Sequence, residues 1–239
     1  LLKMGAKVYG FDRSPLENLP PLVREMKDQV VLHLGEDYLS HLAGLHVIFK
    51  TPGMRPDHPA LLEAEKEGAV VTSEMEEFLK YTKGRTIGIT GSDGKTTTST
   101  VVGELLKAVG HSVYVGGNIG TPLFTKVEEI TEKDFVVLEL SSFQLMTMTV
   151  SPETAVVTNL TPNHLDVHKD MEEYAEAKKN IFRFQNKGDL LILNEDNEVT
   201  HSFKSLAAGE MRTFSSKNEN TDAYYKDGIL YLHKEPVVS

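Results

Sequence analysis

The chain has 239 residues, of which 40% are hydrophobic and 25% charged, a composition typical of a globular protein with one large or two smaller domains. The formal net charge of −10 argues against a nucleic-acid-binding protein, which would show a basic face. The absence of cysteine excludes disulfides and thiolate metal sites, and it fits a cytoplasmic location. No apolar run approaches the ~20 residues that a membrane-spanning helix needs.

Both termini predict that the chain is a piece of a longer protein. Residues 1–7 are typical of the end of a helix, closed by Gly5 and followed by a strand. The last residues come directly after a predicted hairpin. We therefore expect further structure on both sides of this segment.

The first third of the chain alternates predicted strands with predicted helices. This alternation is typical of a parallel sheet with right-handed crossover connections. We expect a linker at residues 83–85, so that two domains cover residues 1–83 and 84–239. The predicted strands are 7–11, 29–34, 45–50 and 69–72, and the predicted helices are 19–27, 59–67 and 74–81.

Two predicted strands of the first domain end in polar or turn-forming residues. Asp12 ends the first strand, where an acidic residue of a dinucleotide-type fold contacts a ribose or base. Asp12 and the residues up to Pro15 are equally typical of a turn cap, so both interpretations stay open. The turn Thr51-Pro52-Gly53 follows another strand, and ligands of open α/β sheets bind at such ends.

The second domain opens with a strand, a glycine-rich turn and a helix. The sequence GSDG covers residues 91–94, and Lys95 and Thr96 follow at the predicted helix start. Backbone N–H groups and a helix N-terminus in this context surround a polyphosphate, with the lysine on the outer phosphates and the threonine hydroxyl on magnesium. Ile89 stands where the general P-loop pattern has glycine. A plain tight turn is the alternative, but it needs neither the lysine nor the threonines.

The rest of the chain again alternates strands and helices. The segment 134–140 is almost wholly apolar and is predicted to be a central buried strand. The segment 211–214 is predicted to be an edge strand, and 223–232 a hairpin turning at Asp227-Gly228. The other predicted strands are 112–115, 154–160 and 189–193, and the other predicted helices are 97–109 and 170–184.

Four polar residues stand out in these predicted elements. Glu139 interrupts the buried strand, so it must be paired, protonated or bound to a metal, and magnesium is the natural partner beside a phosphate loop. Asn118, between glycines, is either a left-handed turn residue or a ligand contact. His164 follows a strand end, where a solvated loop histidine is the simplest interpretation. Lys178 lies on the apolar stripe of its helix, either snorkelling outward or facing a site.

Four segments together resemble the Mur ligases of peptidoglycan synthesis. They are GITGSDGKTTT at 88–98, NLTPNHLDVH at 159–168, YAEAKKNI at 174–181, and LELSSFQL at 138–145 with GGNIG at 116–120. The last pair is similar to the members that add D-glutamate. Asp93 stands where the family usually has Asn, and Asn163 stands where an acid often precedes the histidine.

The resemblance implies an α/β protein with a partial Rossmann-like N-terminal domain and a P-loop-type ATPase domain with a mainly parallel sheet. It implies an ATP- and magnesium-dependent ligase, a monomer, whose substrates are UDP-N-acetylmuramoyl-L-alanine and D-glutamate. The substrate carboxylate would attack the ATP γ-phosphate, and the D-glutamate amine would then displace phosphate from the acyl phosphate. The segment itself is expected to be inactive alone, because the family's amino-acid-binding domain is missing.

The resemblance also implies roles for individual residues. Lys95, His164 and a carbamylated Lys178 would act in catalysis, and Thr96, Glu139, His164 and Lys178 would hold two magnesium ions. Residues assigned to ATP are Gly91, Ser92, Asp93, Gly94, Lys95, Thr96 and Thr97. Residues assigned to the uridine-diphosphate and muramoyl groups are Asp12, Arg13, Ser14, Thr51, Pro52, Gly53, Asn118 and Ser141.

Three alternatives stay open. A related ligase would add another amino acid, but the segment ELSSFQL argues against that. A nucleotide-dependent switch needs the phosphate loop and one magnesium ligand, but it does not need Lys178 on an inward stripe. A segment that only binds nucleotide or sugar is the third alternative.

Overall fold

A computed structural model of the chain describes residues 1–163 and 167–238. They form an α/β fold with a mostly parallel central sheet, which confirms the predicted fold class. The chain divides into two compact units, one of Leu1–Ile48 and Met54–Val71, the other of Phe49–Gly53 and Thr72–Ser239. None of the described helices is both long and apolar enough to cross a membrane.

The first 72 residues form short elements around a small apolar core of Leu42, Ile48, Leu61 and Ala64. Strands β1 and β2 pair in parallel, and β3 pairs with β4 in a second two-stranded sheet. The elements are β1 Tyr9–Asp12, α1 Pro21–Glu25, β2 Val31–Leu34, β3 Val47–Phe49, α2 Pro59–Lys66 and β4 Val70–Thr72.

Helix α1 is shorter than the predicted helix over 19–27. It begins at Pro21, with Pro20 at its N-cap. A residue before proline is disfavoured in the helical region, whereas proline itself suits the first helical position, so the helix starts only at Pro21.

The second unit is built on a nine-stranded sheet in the order β13-β12-β11-β10-β9-β8-β5-β7-β6. Strands β5 to β11 pair in parallel, and β12 and β13 continue the sheet as an antiparallel meander. Its strands are β5 Arg85–Thr90, β6 Val113–Gly117, β7 Phe135–Glu139, β8 Thr154–Val157, β9 Leu190–Asn194, β10 Glu210–Ser215, β11 Ala223–Lys226, β12 Ile229–Leu232 and β13 Glu235–Val238.

The helices of the second unit cover the two faces of this sheet. They are α3 Glu74–Tyr81, α4 Lys95–Ala108, α5 Ser142–Leu145, α6 Met171–Arg183 and α7 Glu198–Ser202. Short 3₁₀ helices of the whole chain lie at Leu2–Met4, Leu16–Asn18, Tyr38–His41, Phe124–Lys126 and Phe203–Leu206. Helix α3 belongs to this unit, whereas the sequence-based boundary at residues 83 and 84 places it in the first domain. That boundary stays a prediction.

Strand β7 is buried along its whole length, as its apolar sequence predicts. Its side chains alternate between two cores because successive residues of a strand face opposite sides. Val136 and Leu138 join the core that includes Ile181 of α6. Val137 joins the core that receives Val102 of α4. Helices α4 and α6 therefore cover opposite faces of the sheet.

The prediction of an edge strand at 211–214 is wrong. Strand β10 lies inside the sheet, paired with β9 on one side and β11 on the other. The predicted hairpin is confirmed, with Asp227 and Gly228 at its turn and both at positive φ. The first strand of the hairpin, β11, pairs in parallel with β10 and so occupies the edge that β10 would otherwise expose. No local pattern encodes this long-range pairing.

The turn between β12 and β13 predicts a stabilising substitution. Its two residues, His233 and Lys234, have φ of 51° and 71°. Such two-residue turns favour glycine or asparagine, because left-handed backbone strains other side chains. Lys234→Gly should therefore stabilise the fold by roughly 0.5–1 kcal/mol, less than the full strain because glycine also loosens the unfolded chain.

The measurement is the midpoint of urea denaturation, which should rise. The matched control is Lys226→Gly within β11, where glycine weakens a strand and should lower the midpoint. An unchanged or lowered midpoint for Lys234→Gly would contradict the strained-turn interpretation.

Candidate functional site

The candidate site lies at the carboxyl end of β5, whose neighbours in the sheet are β7 and β8. The chain leaves β5 at Thr90, passes through the phosphate loop, residues 91–94, and enters α4 at Lys95. A side chain at Gly91 would place its Cβ 1.9 Å from the Thr158 hydroxyl, and Gly94 has φ of +80°. Both glycines are therefore required by the backbone.

The first turn of α4 carries backbone donors that precede the helical hydrogen bonds. The first helical bond runs from the Thr98 N–H to the Gly94 carbonyl at 2.9 Å. The N–H groups of Lys95, Thr96 and Thr97 come before it, at the positive end of the helix dipole. A phosphate group would be attracted to this point.

Ser92 and Asp93 are directed towards the segment after β8 instead. The Ser92 N–H donates to the Asn159 carbonyl and the Asp93 N–H to Asn159 Oδ1, both at 2.9 Å. The Ser92 hydroxyl donates to the Thr161 carbonyl at 3.0 Å. In this arrangement these groups hold the loop, and their contact with a nucleotide stays a prediction.

Lys95 lies over the phosphate loop. Its Nζ donates to the carbonyl oxygens of Gly91 at 2.9 Å and Ser92 at 2.8 Å. The ammonium group is therefore next to the helix N-terminus and bonded to neutral oxygens. Phosphate oxygens are stronger acceptors for a charged donor, so a phosphate would compete for this amine.

Glu139 is 2% exposed and is paired, as its place in an apolar strand predicts. Its carboxylate accepts hydrogen bonds from Thr96 Oγ1 at 2.7 Å and Asn118 Nδ2 at 2.9 Å. The Asn118 N–H also donates to the Glu139 carbonyl at 2.8 Å. Gly117 makes this contact possible, because a Cβ there would lie 2.2 Å from that carbonyl oxygen.

The pair of Thr96 and Glu139 has the chemistry of a magnesium site. Within residues 1–163 and 167–238 there is no group of three histidine, aspartate or glutamate side chains that would hold a metal. Magnesium, however, uses few protein oxygens and takes its remaining ligands from water and substrate phosphates. One hydroxyl and one buried carboxylate beside a phosphate loop fit that requirement.

Lys178 is 1% exposed and points from α6 into the site, which is one of the two directions that the apolar stripe left open. Its Nζ donates to Thr90 Oγ1 at 3.1 Å and to the Gly91 carbonyl at 2.9 Å, and it lies 4.9 Å from the Tyr174 ring centroid. Burial, with repulsion from Lys95, lowers the pKa of Lys178 to about 7. A large fraction of this amine is therefore neutral near neutral pH.

His164, predicted to act in catalysis and to bind metal, lies outside the described residues. Beyond it, His168 is buried against Phe143, with a ring separation of 5.4 Å. Its Nε2 lies 2.9 Å from Ser142 Oγ. This contact joins the segment before α6 to the first residue of α5.

Two predicted substrate contacts already have structural partners. Ser141 caps α5, where its hydroxyl accepts the Gln144 N–H and the Gln144 side chain accepts the Ser141 N–H. Asn118 holds Glu139, as described above. Their contact with a substrate stays a prediction.

The residues assigned to the uridine-diphosphate group include three that belong to the other compact unit, Asp12, Arg13 and Ser14. Asp12 Oδ1 accepts the Ser14 N–H at 2.7 Å, which is the turn-cap role left open by the sequence, and Arg13 is exposed. Residues 51–53 are exposed, and the preceding Lys50 is buried, which lowers its pKa. Among the described residues, the structure brings the loop residues 91–97, Glu139 and Lys178 together at the end of β5.

The sequence alone missed three residues of the site: Thr90, Asn159 and Tyr174. Thr90 bonds Lys178, and the Tyr174 hydroxyl lies 3.0 Å from Ser92 Oγ. Asn159 bonds the phosphate loop. Tyr174 precedes Lys178 by four residues on one helix face, a spacing that was available as a signal.

The sheet and its strand–loop–helix junction define an α/β protein of the mainly parallel class. The model of the Mur ligase middle domain matches residues 89–238. The chain belongs to the Mur ligase family, which confirms the resemblance inferred from the motifs.

Individual curated proteins with similar sequences are also ligases by name. The UDP-N-acetylmuramoylalanine--D-glutamate ligase of Clostridium perfringens (strain 13 / Type A) is 56% identical over 99% of this chain and 52% of its own length. The ligase of the same name from Clostridium beijerinckii (strain ATCC 51743 / NCIMB 8052) is 57% identical, with the same coverage. The chain therefore spans about half the length of the curated relatives it matches.

A solved structure shows the same fold at lower identity. It is the UDP-N-acetylmuramate:L-alanyl-gamma-D-glutamyl-meso-diaminopimelate ligase from Neisseria meningitides, with a TM-score of 0.61 and 18% identity. The match covers 98% of this chain and 79% of that chain.

The lowered pKa of Lys178 predicts a pH-dependent stability. The folded chain binds fewer protons at Lys178 than the unfolded chain between pH 7 and the ordinary lysine pKa of 10.5. The contribution of Lys178 to the free energy of unfolding should therefore be largest above pH 10.5. It should fall as the pH drops towards 7, with a slope approaching ~1.4 kcal/mol per pH unit.

The measurement is urea denaturation of the wild type and of Lys178→Met between pH 7 and 10. The unfolding free energy of the wild type minus that of Lys178→Met should rise with pH. Replacing the exposed Lys107 of α4 with methionine is the control and should reproduce the wild-type pH dependence. A difference that does not change with pH would contradict the lowered pKa.

Proposed function

We propose that a protein carrying this chain is an ATP-dependent ligase that adds D-glutamate to UDP-N-acetylmuramoyl-L-alanine during peptidoglycan precursor synthesis. The names of the Clostridium relatives support the substrates. The observation that carries the proposal is Lys178, a buried amine on the same carbonyl as the phosphate-loop lysine. A protein that only binds nucleotide has no need of this second amine.

Lys95 and the first turn of α4 would bind the outer phosphates of ATP. The Lys95 amine would exchange the Gly91 and Ser92 carbonyls for phosphate oxygens, and the N–H groups of residues 95–97 would donate to the same group. These donors offset the negative charge that develops as the γ-phosphoryl group is transferred.

Thr96 and Glu139 would hold a magnesium ion, which supplies charge neutralisation at the phosphates. The Thr96 hydroxyl now donates to the Glu139 carboxylate. The Thr96 hydroxyl and the Glu139 carboxylate would be the protein ligands of the ion, and Asn118 would still orient the carboxylate.

Lys178 would react with carbon dioxide as the neutral amine that its lowered pKa favours. A nitrogen–carbon bond forms as one carbon–oxygen π bond of carbon dioxide opens and the amine releases one proton, so the neutral amine becomes a carbamate with anionic oxygens. With His164, this group would hold a second magnesium ion near the substrate carboxylate. The Thr90 hydroxyl would remain as its positioning partner.

The reaction would then have two steps. The carboxylate of UDP-N-acetylmuramoyl-L-alanine attacks the γ-phosphorus and releases ADP, which forms an acyl phosphate. The amine of D-glutamate attacks the acyl carbon, phosphate leaves and an amide remains. Both reactants are anionic, so the positive groups around Gly91 allow them to approach each other.

The substrate would be bound by residues that the resemblance indicates. Asn118 and Ser141 would contact the muramoyl group, and Asp12, Arg13, Ser14 and residues 51–53 the uridine diphosphate. We further propose that the protein is a cytoplasmic monomer and that its domains divide at residues 83 and 84.

Replacing Lys95 tests the phosphate site. Lys95→Ala should weaken ATP·Mg binding by roughly 1.5–3 kcal/mol, about 10- to 150-fold, because a charge-assisted contact to phosphate is lost. Calorimetric titration measures the affinity, and circular dichroism verifies the fold. Lys107→Ala, an exposed lysine of the same helix, is the control and should bind as the wild type does. Equal affinities of the Lys95 variant and the wild type for ATP·Mg would contradict the assignment of Lys95 to a phosphate site.

Replacing Lys178 tests the ligase chemistry in a protein of the relatives' full length. Lys178→Arg should fold but lose nearly all turnover, since guanidinium cannot form the carbamate. Lys178→Ala should regain part of its turnover with added formate or acetate, whose oxygens can take the vacated position.

Phosphate release is measured with UDP-N-acetylmuramoyl-L-alanine, ATP and D-glutamate. Normal turnover by Lys178→Arg would rule out the carbamate. Wild-type turnover with another amino acid, but not with D-glutamate, would identify a related ligase instead.

A further inference from the structure

Asn159 holds the backbone of the phosphate loop from the end of the neighbouring strand. Its Oδ1 accepts the Asp93 N–H at 2.9 Å, and its Nδ2 donates to the Asp93 carbonyl at 3.1 Å. Its own carbonyl accepts the Ser92 N–H at 2.9 Å. One residue therefore satisfies three backbone groups in two consecutive positions of the loop.

The residues around Asn159 strengthen the same contact. The Thr158 hydroxyl donates to the Asp93 carbonyl at 2.7 Å. The Ser92 hydroxyl accepts the Thr161 N–H at 2.9 Å and lies 3.0 Å from the Thr161 carbonyl, to which it donates. The segment 158–161 thus holds Ser92 and Asp93, the two middle residues of the loop.

This segment is itself held on its other side by two more asparagines. Asn194 at the end of β9 donates to the Thr158 carbonyl at 2.8 Å. Asn197, which caps α7, donates to the Leu160 carbonyl at 2.9 Å and accepts the Leu160 N–H at 3.3 Å. Asn159 therefore projects from a segment fixed by regular elements, which is what a rigid support requires.

We propose that Asn159 is the positioning residue of the phosphate loop. It binds no phosphate and touches no reacting atom in this role. By engaging the Ser92 and Asp93 backbone, it sets the loop course that directs the N–H groups of residues 95–97 and the Lys95 amine towards one point. The inference rests on the proposed nucleotide function and adds a residue on which that function depends.

Amide hydrogen exchange of the ligand-free 239-residue chain tests the contact directly. Asn159→Ala removes the side-chain acceptor, so the Asp93 amide should exchange about ten-fold faster or more. Asn159→Asp keeps an oxygen at Oδ1 and should restore most of the Asp93 protection. The Val137 amide of β7 is the reference, because acceleration there would indicate loss of the whole fold.

Calorimetric titration with ATP·Mg tests the consequence for binding. Asn159→Ala should weaken the affinity about ten-fold. Without the Asn159 side chain, the N–H groups of residues 95–97 and the Lys95 amine would no longer be held towards one point. The control is Asn220→Ala, an exposed asparagine in the β10–β11 connection, which should bind as the wild type does.

The outcomes separate this inference from the proposed function. Unchanged Asp93 exchange in Asn159→Ala, or faster exchange with wild-type ATP·Mg affinity, would overturn the positioning role. A wild-type chain that does not bind ATP·Mg would count against the nucleotide function, and the Asp93 exchange would then decide the positioning role by itself.

Discussion

The site is organised by one backbone oxygen that two lysine amines share. Lys95 and Lys178 each donate to the Gly91 carbonyl at 2.9 Å. They come from α4 and α6, so helices on opposite faces of the sheet meet at one atom. Burial of the Lys178 amine disfavours its charged form, and repulsion from Lys95 adds to this effect. The lowered pKa of Lys178 is the consequence, and it makes this amine a candidate for carbamate chemistry.

Strand alternation directs neighbouring residues of β5 towards two different parts of the site. Ile89 faces the core under α4, and Glu139, opposite it on β7, has the same orientation, which takes its carboxylate to Thr96. The next residue of β5, Thr90, faces the other side, which takes its hydroxyl to Lys178. One position along β5 therefore separates the side that carries Thr96 and Glu139 from the side that carries Lys178. Both groups lie at the same edge of the sheet.

Much of the candidate site could be predicted from the sequence, because the patterns that indicate it are local. A glycine-flanked turn before Lys95, a carboxylate inside an apolar strand and a lysine on an apolar helix stripe each conflict with a purely structural role. Other features left no such signal. The interior place of β10 depends on β11, and the partners of Asp93 and Lys178 come from residues more than sixty positions away. Short polar side chains such as Thr90 and Asn159 are common at strand ends, so their type alone indicates nothing.

The amino-acid sequence by itself determined the α/β class and the glycines that the phosphate loop requires, and its motifs carried the resemblance to the Mur ligases. The class and the glycines follow from periodicity, apolar runs and residue types that act over a few positions, whereas the family follows from the resemblance of the motifs. The tertiary structure alone decided that Ser92 and Asp93 face Asn159, that Asn118 and Ser141 hold structural partners, and that two lysines meet at Gly91. Those contacts depend on the order of strands in the sheet, which brings distant segments to one edge and which no local pattern specifies.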